Sequence, residues 1–295
     1  MQRTSNIRKN ARSTTGFSTG PKMAFFGCVL ASMTIASSSL ADKAALMPIL
    51  PKIPYDPKFD AFLHKESGQI GSEPIERIIV VDPYVDDYIT FYLGYLEQAP
   101  KIEIKNPDGD VIDQNEANVH VRQHDRLIGY RIQNPAVGNW KVVIQQLDDR
   151  VSKPYVFAVT GQGEHNLYFH VNSQFLPDAE RDAQLKVVVG GPHTVKGIQI
   201  SGVVIDPKGN ESEIELLDDG RNESGDEHAG DGRYATILTN LAMPGTYQVR
   251  LIADGRNGMT VVPGDSPDFV GSPAEPDPVP HFMRYSWTEI LVKEQ

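Results

Sequence analysis

The sequence predicts an all-β protein built from two tandem antiparallel β-sandwiches, and three observations lead to this prediction. From about residue 75 to residue 251, apolar side chains recur at every second position, as in half-buried strands. Turn sequences such as Asn-Pro-Asp-Gly at residues 106–109 separate these runs. No long stretch shows the period of about 3.6 residues that marks a helix. Short strands at regular spacing are typical of immunoglobulin-like sandwiches, which we expect to follow an N-terminal signal segment.

Residues 1–41 have the features of a secretory signal peptide. An apolar run from residue 23 to about residue 36 precedes Ser39, Leu40 and Ala41, which offer small residues at a cleavage site. Five basic residues and no acidic one come before this run: Arg3, Arg8, Lys9, Arg12 and Lys22. We therefore predict a periplasmic, secreted or cell-surface protein. Because the basic region is unusually long, an uncleaved N-terminal membrane anchor is the alternative.

The charge of the chain restricts its partners. Removing residues 1–41 takes away five positive charges and no negative one, so the formal net charge changes from -11 to -16. Such an acidic chain is repelled by phosphate, which argues against nucleic acid or anionic lipid as a partner. We expect no nucleic-acid partner and no membrane insertion after signal cleavage. Cys28, the single cysteine, lies within the leader, so the mature chain has no disulfide framework.

Residues 42–182, which follow the predicted signal peptide, divide into three predicted parts. Residues 42–72 predict an extended segment lying over the first domain, because prolines fix φ and remove hydrogen-bond donors. Residues 73–172 predict the first sandwich, with alternating strands around Phe91, Ile104 and Trp140. Residues 173–182 are polar, contain Pro177 and predict a linker.

The remaining chain is predicted to hold a second sandwich and a terminal strand. Residues 183–261 alternate as the first sandwich does, and residues 262–280 contain six prolines and predict a tether. Residues 281–295 predict a strand that docks on a sheet edge. Its alternating face carries Met283, Tyr285, Trp287 and Leu291, and the alternative is an aromatic docking site for a partner.

The two sandwiches repeat one plan. Residues 104–109 (Ile-Lys-Asn-Pro-Asp-Gly) parallel residues 204–209 (Val-Ile-Asp-Pro-Lys-Gly), offset by 100 positions. Residues 138–142 parallel residues 245–249, offset by 107 positions, and both begin with Gly-x-aromatic. The seven additional residues fall in the interval that holds an acidic loop, residues 217–234. The aromatic residue after each glycine is expected to close a core.

The acidic loop is the candidate functional site. Four aspartates, Asp218, Asp219, Asp226 and Asp231, alternate with glycines that let the backbone adopt positive φ. Calcium binds six to eight oxygen ligands with flexible geometry, so the four aspartates are the predicted calcium ligands. The spacing is not that of an EF-hand. The alternative is a solvated loop whose aspartates cap turns through local backbone hydrogen bonds.

The motif of the acidic loop resembles a known family. Its residues are Asp218, Asp219, Gly220, Asp226, Ala229, Gly230, Asp231, Gly232 and Tyr234. Together with the two Pro-x-Gly turns they are similar to the tandem β-sandwich region that follows the A domain in secreted von Willebrand factor A and calcium-activated chloride channel regulator-like proteins. The first repeat is also similar to the bacterial pre-peptidase C-terminal domain. The A domain itself is absent, since no Asp-x-Ser-x-Ser motif occurs. The resemblance implies an extracytoplasmic accessory or adhesive module.

Motifs of known enzyme classes are missing from the sequence. It has no Gly-x-Ser-x-Gly elbow, no His-Glu-x-x-His and no phosphate-binding glycine loop. The histidine pairs 120/124 and 165/170 lack a cysteine or carboxylate at zinc-site spacing. We predict an exported, non-catalytic binding or structural module of the cell envelope that recognises a protein or a surface glycan. The alternatives are an extracytoplasmic hydrolase or its accessory domain, and a subunit that partners a separate von Willebrand factor A protein.

Overall fold

The computed structural model describes residues 50–294 apart from residues 57, 147–151, 177–178, 192 and 262–274. The predicted leader and most of the predicted tether therefore lie outside the described residues. Within the described ranges the chain forms 17 strands and no helix, which confirms the all-β prediction. Accordingly, these residues include no helix capable of spanning a membrane.

The strands follow one another along the chain with these bounds: β1 Ala61–Ile70, β2 Ile75–Val81, β3 Tyr88–Tyr95, β4 Lys101–Lys105, β5 Val119–His124, β6 Leu127–Gln133, β7 Gly138–Gln145, β8 Lys153–Gln162, β9 Tyr168–Leu176, β10 Ala179–Gly190, β11 Val195–Lys196, β12 Gln199–Ile205, β13 Glu211–Leu216, β14 Arg233–Leu238, β15 Gly245–Asp254, β16 Met259–Thr260 and β17 Met283–Val292.

Sandwich 1 packs a five-stranded sheet, in the order β1-β8-β3-β6-β5, against a three-stranded sheet in the order β2-β7-β4. The alternation in β7 places Trp140, Val142 and Ile144 in the core between the sheets. Phe91 of β3 meets Trp140 from the opposite sheet, with ring centroids 5.9 Å apart. Removing such side chains from water, at about 25 cal/mol per Å² of apolar surface, is the main stabilising term for this half.

Sandwich 2 packs a four-stranded sheet, in the order β13-β12-β15-β17, with a three-stranded sheet in the order β14-β10-β9. Leu185 and Val187 of β10 share one core with Val249 and Leu251 of β15. The short pair β11–β16 adds a separate two-stranded ribbon. Each sandwich has its own hydrophobic cluster, as tandem domains require.

The structure corrects two predicted boundaries. Residues 61–70, which we assigned to the extended segment 42–72, form β1 and pair antiparallel with β8. The predicted linker 173–182 is part of β9 and β10, which pair with each other antiparallel. Strand β1 escaped detection because its side chains do not alternate cleanly between polar and apolar. Strands β9 and β10 lie partly in segments that were predicted as strands, but they continue through the polar residues that we assigned to the linker. Strand β9 is an edge strand of sandwich 2, although we assigned residues up to 172 to sandwich 1, and Phe169 and Val171 on one of its faces pack against the core of sandwich 2.

The C-terminal strand β17 pairs with β15 over the whole length of both. Its core-facing side includes Ile290 and Val292, both buried. The face that carries Trp287 lies against β1 of sandwich 1 instead. The Trp287 ring has its centroid 4.9 Å from that of Phe62, and Lys65 Nζ lies 3.1 Å from the same ring centroid. The aromatic face of the predicted terminal strand is therefore a contact between the sandwiches.

A buried ion pair also joins sandwich 1 to sandwich 2. The described residues belong to one unit by their contacts, and Arg284 of β17 reaches from sandwich 2 into sandwich 1. Its Nη1 and Nη2 donate to the two carboxylate oxygens of Asp82, at 2.5 and 3.2 Å. Its Nε donates to the Leu167 carbonyl at 2.7 Å, and Nη2 also donates to Asn166 Oδ1 at 3.1 Å. Neither charged side chain is exposed to solvent, so the pair fixes the relative positions of both sandwiches and their connection.

The internal repeat predicted from the sequence has a matching geometry. Gly138 and Gly245 begin β7 and β15 with φ of 137° and 127°. A Cβ placed on Gly138 would lie 2.9 Å from Pro107, and one on Gly245 would lie 2.9 Å from Pro207. The proline of each Pro-x-Gly turn thus packs on the glycine that starts the later strand in the same sandwich.

The aromatic residue two positions after each glycine also has the same role in both sandwiches. Trp140 Nε1 donates to the carbonyl of Ala136, four residues earlier, at 2.8 Å. Tyr247 Oη accepts from the backbone N–H of Met243, also four residues earlier, at 3.1 Å. Both rings are buried, and their polar atoms close the turn that leads into the strand. Their role is structural.

The proline–glycine contact leads to a prediction that tests the repeat. Gly138→Ala and Gly245→Ala are each expected to lower the free energy of unfolding by about 1–2 kcal/mol, because both force positive φ on a residue with a Cβ. Urea unfolding measures this loss. Gly71→Ala is the matched control, since a Cβ there meets nothing within 4 Å. Equal stability of Gly71→Ala and the two other variants would contradict the prediction.

Candidate functional site

The acidic loop is shaped by its glycines. It connects β13 to β14 and contains Gly220, Gly225, Gly230 and Gly232, all with φ between 67° and 79°. Positive φ is readily adopted by glycine and costs other residues energy, so these four positions let the chain fold back on itself. The loop therefore forms a compact structure in which distant aspartates can meet.

Three of the four predicted ligands do meet. Asp218, Asp226 and Asp231 each place a carboxylate oxygen within 4.8 Å of the others. Asp226 is 4% exposed and Asp231 is 3% exposed, whereas Asp218 is partly buried. Three carboxylates at this distance repel one another strongly in a poorly hydrated site. A divalent cation among them would remove that repulsion, and carboxylate oxygens are the ligands that calcium prefers.

Backbone N–H groups hold each carboxylate in place. Asp218 Oδ1 accepts from Gly230 at 2.6 Å, and its Oδ2 accepts from Gly232 at 3.0 Å. Asp226 Oδ2 accepts from Gly220 at 2.7 Å. These bonds join loop positions 6 to 14 residues apart, and Asp231 Oδ1 accepts from the Arg233 N–H at 2.9 Å. The carboxylates thus organise the loop, and their converging oxygens retain lone pairs for a cation.

The environment disfavours the ionised forms of Asp218 and Asp231. Burial raises the pKa of Asp218, backbone hydrogen bonds from Gly232 and Gly230 oppose the rise, and the charges of Asp231 and Asp226 add to it. Burial likewise raises the pKa of Asp231, although a hydrogen bond from the Arg233 N–H and the Arg233 charge oppose it. A bound cation would stabilise the ionised form of carboxylates that are destabilised in this way.

Asp219, the fourth predicted ligand, lies outside this cluster. Its Oδ1 accepts from Ser224 Oγ at 2.6 Å and from the Arg221 N–H at 3.1 Å. The hydrogen bond from Ser224 is the main cause that lowers the pKa of Asp219. Asp219 therefore closes a local turn, as the alternative interpretation of the loop proposed. Adjacent residues point in different directions, which sequence spacing alone did not reveal.

Residues of β10 that we did not single out from the sequence anchor the loop. Gln184 Nε2 donates to the Gly225 carbonyl at 2.6 Å. Lys186 Nζ donates to Glu227 at 2.8 Å on the exposed side of the same strand. These contacts link the loop to the sheet of β14, β10 and β9. No sequence signal identified them, because they join positions 41 residues apart.

Histidine–carboxylate pairs occur at three described positions outside the loop. His124 and Asp125 form an exposed pair, and His281 lies 3.1 Å from Asp254 on a partly exposed surface. The third pair, His64 Nε2 and Glu66 Oε2 at 3.3 Å, is largely buried, and the His64 ring lies near the rings of Phe157 in sandwich 1 and Tyr285 of β17. None of these histidines is hydrogen-bonded to a hydroxyl or thiol among the described residues. They form no nucleophile–base arrangement there.

An open cleft of about 540 Å³ lies beside the connection between β8 and β9. One wall is formed by residues 164–166 with Tyr168 and His170, and the other by the end of β10 with Gly191 and Thr194. A Cβ on Gly191 would lie 2.2 Å from the Asn166 carbonyl oxygen, so glycine permits the close approach of the two walls. His165 and His170, which the sequence did not identify as a zinc site, both line this cleft.

Comparison with known proteins extends the fold assignment. A sequence profile described as the second Ig-like domain of conditioned medium factor matches residues 170–262, which run from β9 to just beyond β16. This match supports the immunoglobulin-like sandwich. The resemblance to the region behind von Willebrand factor A domains is supported only to that extent. A search of curated protein sequences finds no match.

Two solved structures are distantly similar. The first is a Bacillus licheniformis lipase, BlEst2, in its propeptide form, with 13% identity and a TM-score of 0.41. The alignment covers 85% of this chain and 46% of the lipase chain, so this chain spans less than half of that protein. The second is a "putative secreted protein" from Eubacterium rectale, with 10% identity, a TM-score of 0.24 and coverage of 78% and 74%. Similarity at this level does not indicate a function.

Proposed function

We propose that this protein is an exported, non-catalytic binding or structural module of the cell envelope whose second sandwich is stabilised by calcium. The observation that carries the proposal is the convergence of Asp218, Asp226 and Asp231 within a glycine-shaped loop of sandwich 2. Free calcium is more abundant outside the cytoplasm, where the predicted signal segment would send the chain. The absence of cysteine from the mature chain leaves metal binding as a means of cross-linking loops.

The arrangement of the two sandwiches supports a structural role. Arg284 and Asp82 hold them together through a fully buried pair, and Trp287, on the opposite face of β17, packs on Phe62 of β1. A rigid two-domain unit presents its loops at fixed positions, which favours recognition and assembly over large movements. In this unit calcium would reduce the repulsion among three aspartates and stabilise the loop that distinguishes sandwich 2 from sandwich 1.

Calcium binding can be tested directly on the full-length chain. We expect isothermal titration of EDTA-treated protein to show heat on calcium addition, with a higher melting temperature. At about 100 times the dissociation constant, calcium should add about 2.7 kcal/mol to the free energy of unfolding. Asp226→Asn and Asp231→Asn are expected to abolish the response, because each removes a ligand charge but keeps an oxygen that accepts the backbone hydrogen bond.

Two variants separate ligation from the charge of the loop. Glu223→Gln removes one negative charge from the same loop without touching the cluster and should leave the calcium response unchanged. Asp219→Asn should also retain it, since Asp219 bonds to Ser224 instead. No heat and no change in melting temperature at millimolar calcium would end the proposal. An equal loss in Glu223→Gln would show that only nonspecific charge attraction is present.

A further inference from the structure

We propose that the cleft between the β8–β9 connection and the end of β10 binds a neutral oligosaccharide. This inference rests on the proposed role as a non-catalytic binding module and names its ligand class, but it does not depend on calcium. The cleft volume of about 540 Å³ is within the range of about 300–1,000 Å³ common for small-molecule sites. Because the cleft is open to solvent, a chain-like ligand can extend beyond it.

Two rings form an aromatic platform in the cleft. Tyr168 and His170 are two residues apart in β9 and therefore share one face of the strand. Their ring centroids are 6.1 Å apart with an interplanar angle of 33°. The Tyr168 hydroxyl donates to the Lys58 carbonyl at 3.2 Å, which fixes the orientation of its ring. The C–H groups on one face of a sugar ring carry partial positive charge and pack favourably on the negative face of an aromatic ring.

The polar groups around the platform match hydroxyl groups. Glu164 and His165 are exposed at one wall, and Thr194 lies at the other. A carboxylate accepts hydrogen bonds from sugar hydroxyls, whereas imidazole and threonine hydroxyl groups can donate or accept. These three side chains therefore offer both the hydrogen-bond acceptors and the hydrogen-bond donors that a sugar hydroxyl needs.

The charge of the cleft selects against other ligand classes. Among the described lining residues there is one carboxylate and no lysine or arginine, so a phosphorylated or sulfated ligand has no cationic partner. Val188 is the one aliphatic side chain among them, which is too little apolar surface for an acyl chain. A neutral polyhydroxylated ligand is the class that remains compatible with this lining.

The floor of the cleft is rigid. Asn166 is 1% exposed, and its Nδ2 donates to the Gly161 carbonyl at 2.8 Å while its Oδ1 accepts from Arg284. Both ends of this amide are therefore engaged inside the protein. The platform and the polar side chains stand on a scaffold that also joins the two sandwiches. Such preorganisation reduces the entropy lost on binding.

The test uses the full-length chain on an array of short neutral oligosaccharides of glucose, mannose, galactose, xylose and N-acetylglucosamine, with sulfated and uronic-acid chains and random peptides beside them. Affinity for the best neutral sugar is then measured by calorimetry. His170→Ala and Glu164→Gln should each weaken binding at least about tenfold, because they remove half of the platform and the carboxylate acceptor. Both positions are exposed, and thermal melts verify folding. His120→Ala, at an exposed histidine of β5, is the matched control and should bind as the unaltered chain does.

Each outcome is decisive. Failure to bind any neutral oligosaccharide, or equal affinity of His170→Ala and His120→Ala, overturns the inference, as does preference for acidic chains or peptides. Chromatography of the sugar after incubation with the chain tests the proposed non-catalytic role separately from sugar binding. Cleavage products that depend on the chain would overturn its non-catalytic role while leaving sugar recognition intact. A negative calcium titration would leave the cleft unaffected.

Discussion

Arg284→Ala is expected to lower the free energy of unfolding by about 3–5 kcal/mol, the cost of leaving one partner of a buried ion pair alone. The variant would leave the Asp82 carboxylate with no cation in a site that solvent does not reach. It would also remove the donors that serve the Leu167 carbonyl and Asn166 Oδ1. Four hydrogen bonds at the junction of the two sandwiches are lost together, so we expect the sandwiches to separate before either unfolds completely.

The two tryptophans of the chain provide the measurement. Trp140 lies in the core of sandwich 1, and Trp287 lies on β17 at the contact between the sandwiches. In urea unfolding followed by fluorescence, Arg284→Ala should move the Trp287 signal to lower denaturant than the Trp140 signal. Selective replacement of each tryptophan by phenylalanine assigns the two signals. The prediction is wrong if both tryptophan signals change together, at the same urea concentration as in the unaltered chain.

Two comparison variants separate the charge effect from lost packing. Asp82→Asn combined with Arg284→Met removes both charges and should recover part of the loss, since buried pairs replaced by neutral groups cost much less than broken ones. Lys141→Ala breaks the exposed pair with Glu76, whose atoms are 2.9 Å apart. That change should cost only about 0–1 kcal/mol, because water screens an exposed pair. A cost for Arg284→Ala as small as that of Lys141→Ala would show that the buried pair adds no net stability.

The sequence was informative wherever one face of a strand is buried. Strands β7 and β15 alternate because their inner residues, such as Val142 and Val249, fill a core while their neighbours face solvent. Strand β1 was missed because its two faces meet different surroundings. Phe62 contacts Trp287 of the other sandwich, whereas Leu63 belongs to the core of sandwich 1. A strand covered on both sides has no simple period, so pattern analysis assigned its residues to a spacer.

The acidic loop was located correctly, but its internal geometry was not predictable from spacing. The glycines predicted a backbone that turns through positive φ, and all four glycines of the loop have positive φ in the structure. Asp218 and Asp219 nevertheless have different partners, because consecutive side chains diverge and only the folded loop determines which carboxylate meets Asp226. The ion pair of Asp82 and Arg284 could not be predicted from the sequence, because 202 residues separate the two side chains and no local pattern links them.

Acidification provides the second large effect, through Glu66 of β1. Burial alone would raise the pKa of Glu66, but the hydrogen bonds and charges of His64 and Arg77 outweigh it and lower the pKa from 4.5 to about 2. Arg77 Nε donates to Glu66 Oε2 at 2.7 Å, and Tyr155 Oη donates to Glu66 Oε1 at 2.8 Å. Since β1 and β2 belong to opposite sheets, the network joins the two layers of sandwich 1 at one edge.

The sign of the pH dependence follows from the lowered pKa. The ionised Glu66 side chain is favoured in the folded state, so its contribution is complete above pH 4.5 and is lost as the pH falls to about 2. A difference of this size corresponds to roughly 3 kcal/mol, lost at about 1.4 kcal/mol per pH unit. The Glu66 side chain is only 8% exposed, so solvent screening reduces the effect little.

Glu66→Gln should therefore cost roughly 3 kcal/mol at neutral pH and progressively less below pH 4.5. Urea unfolding of both proteins between neutral pH and about pH 3 gives the difference at each pH. Taking the difference cancels the opposite contribution of Asp218 and Asp231, whose raised pKa values make the metal-free fold gain stability as they become protonated. Glu76→Gln, at an exposed position of the neighbouring strand, should show no such pH dependence. A stability difference for Glu66→Gln that stays constant with pH would mean that shape and packing, rather than the ionised carboxylate, account for its contribution.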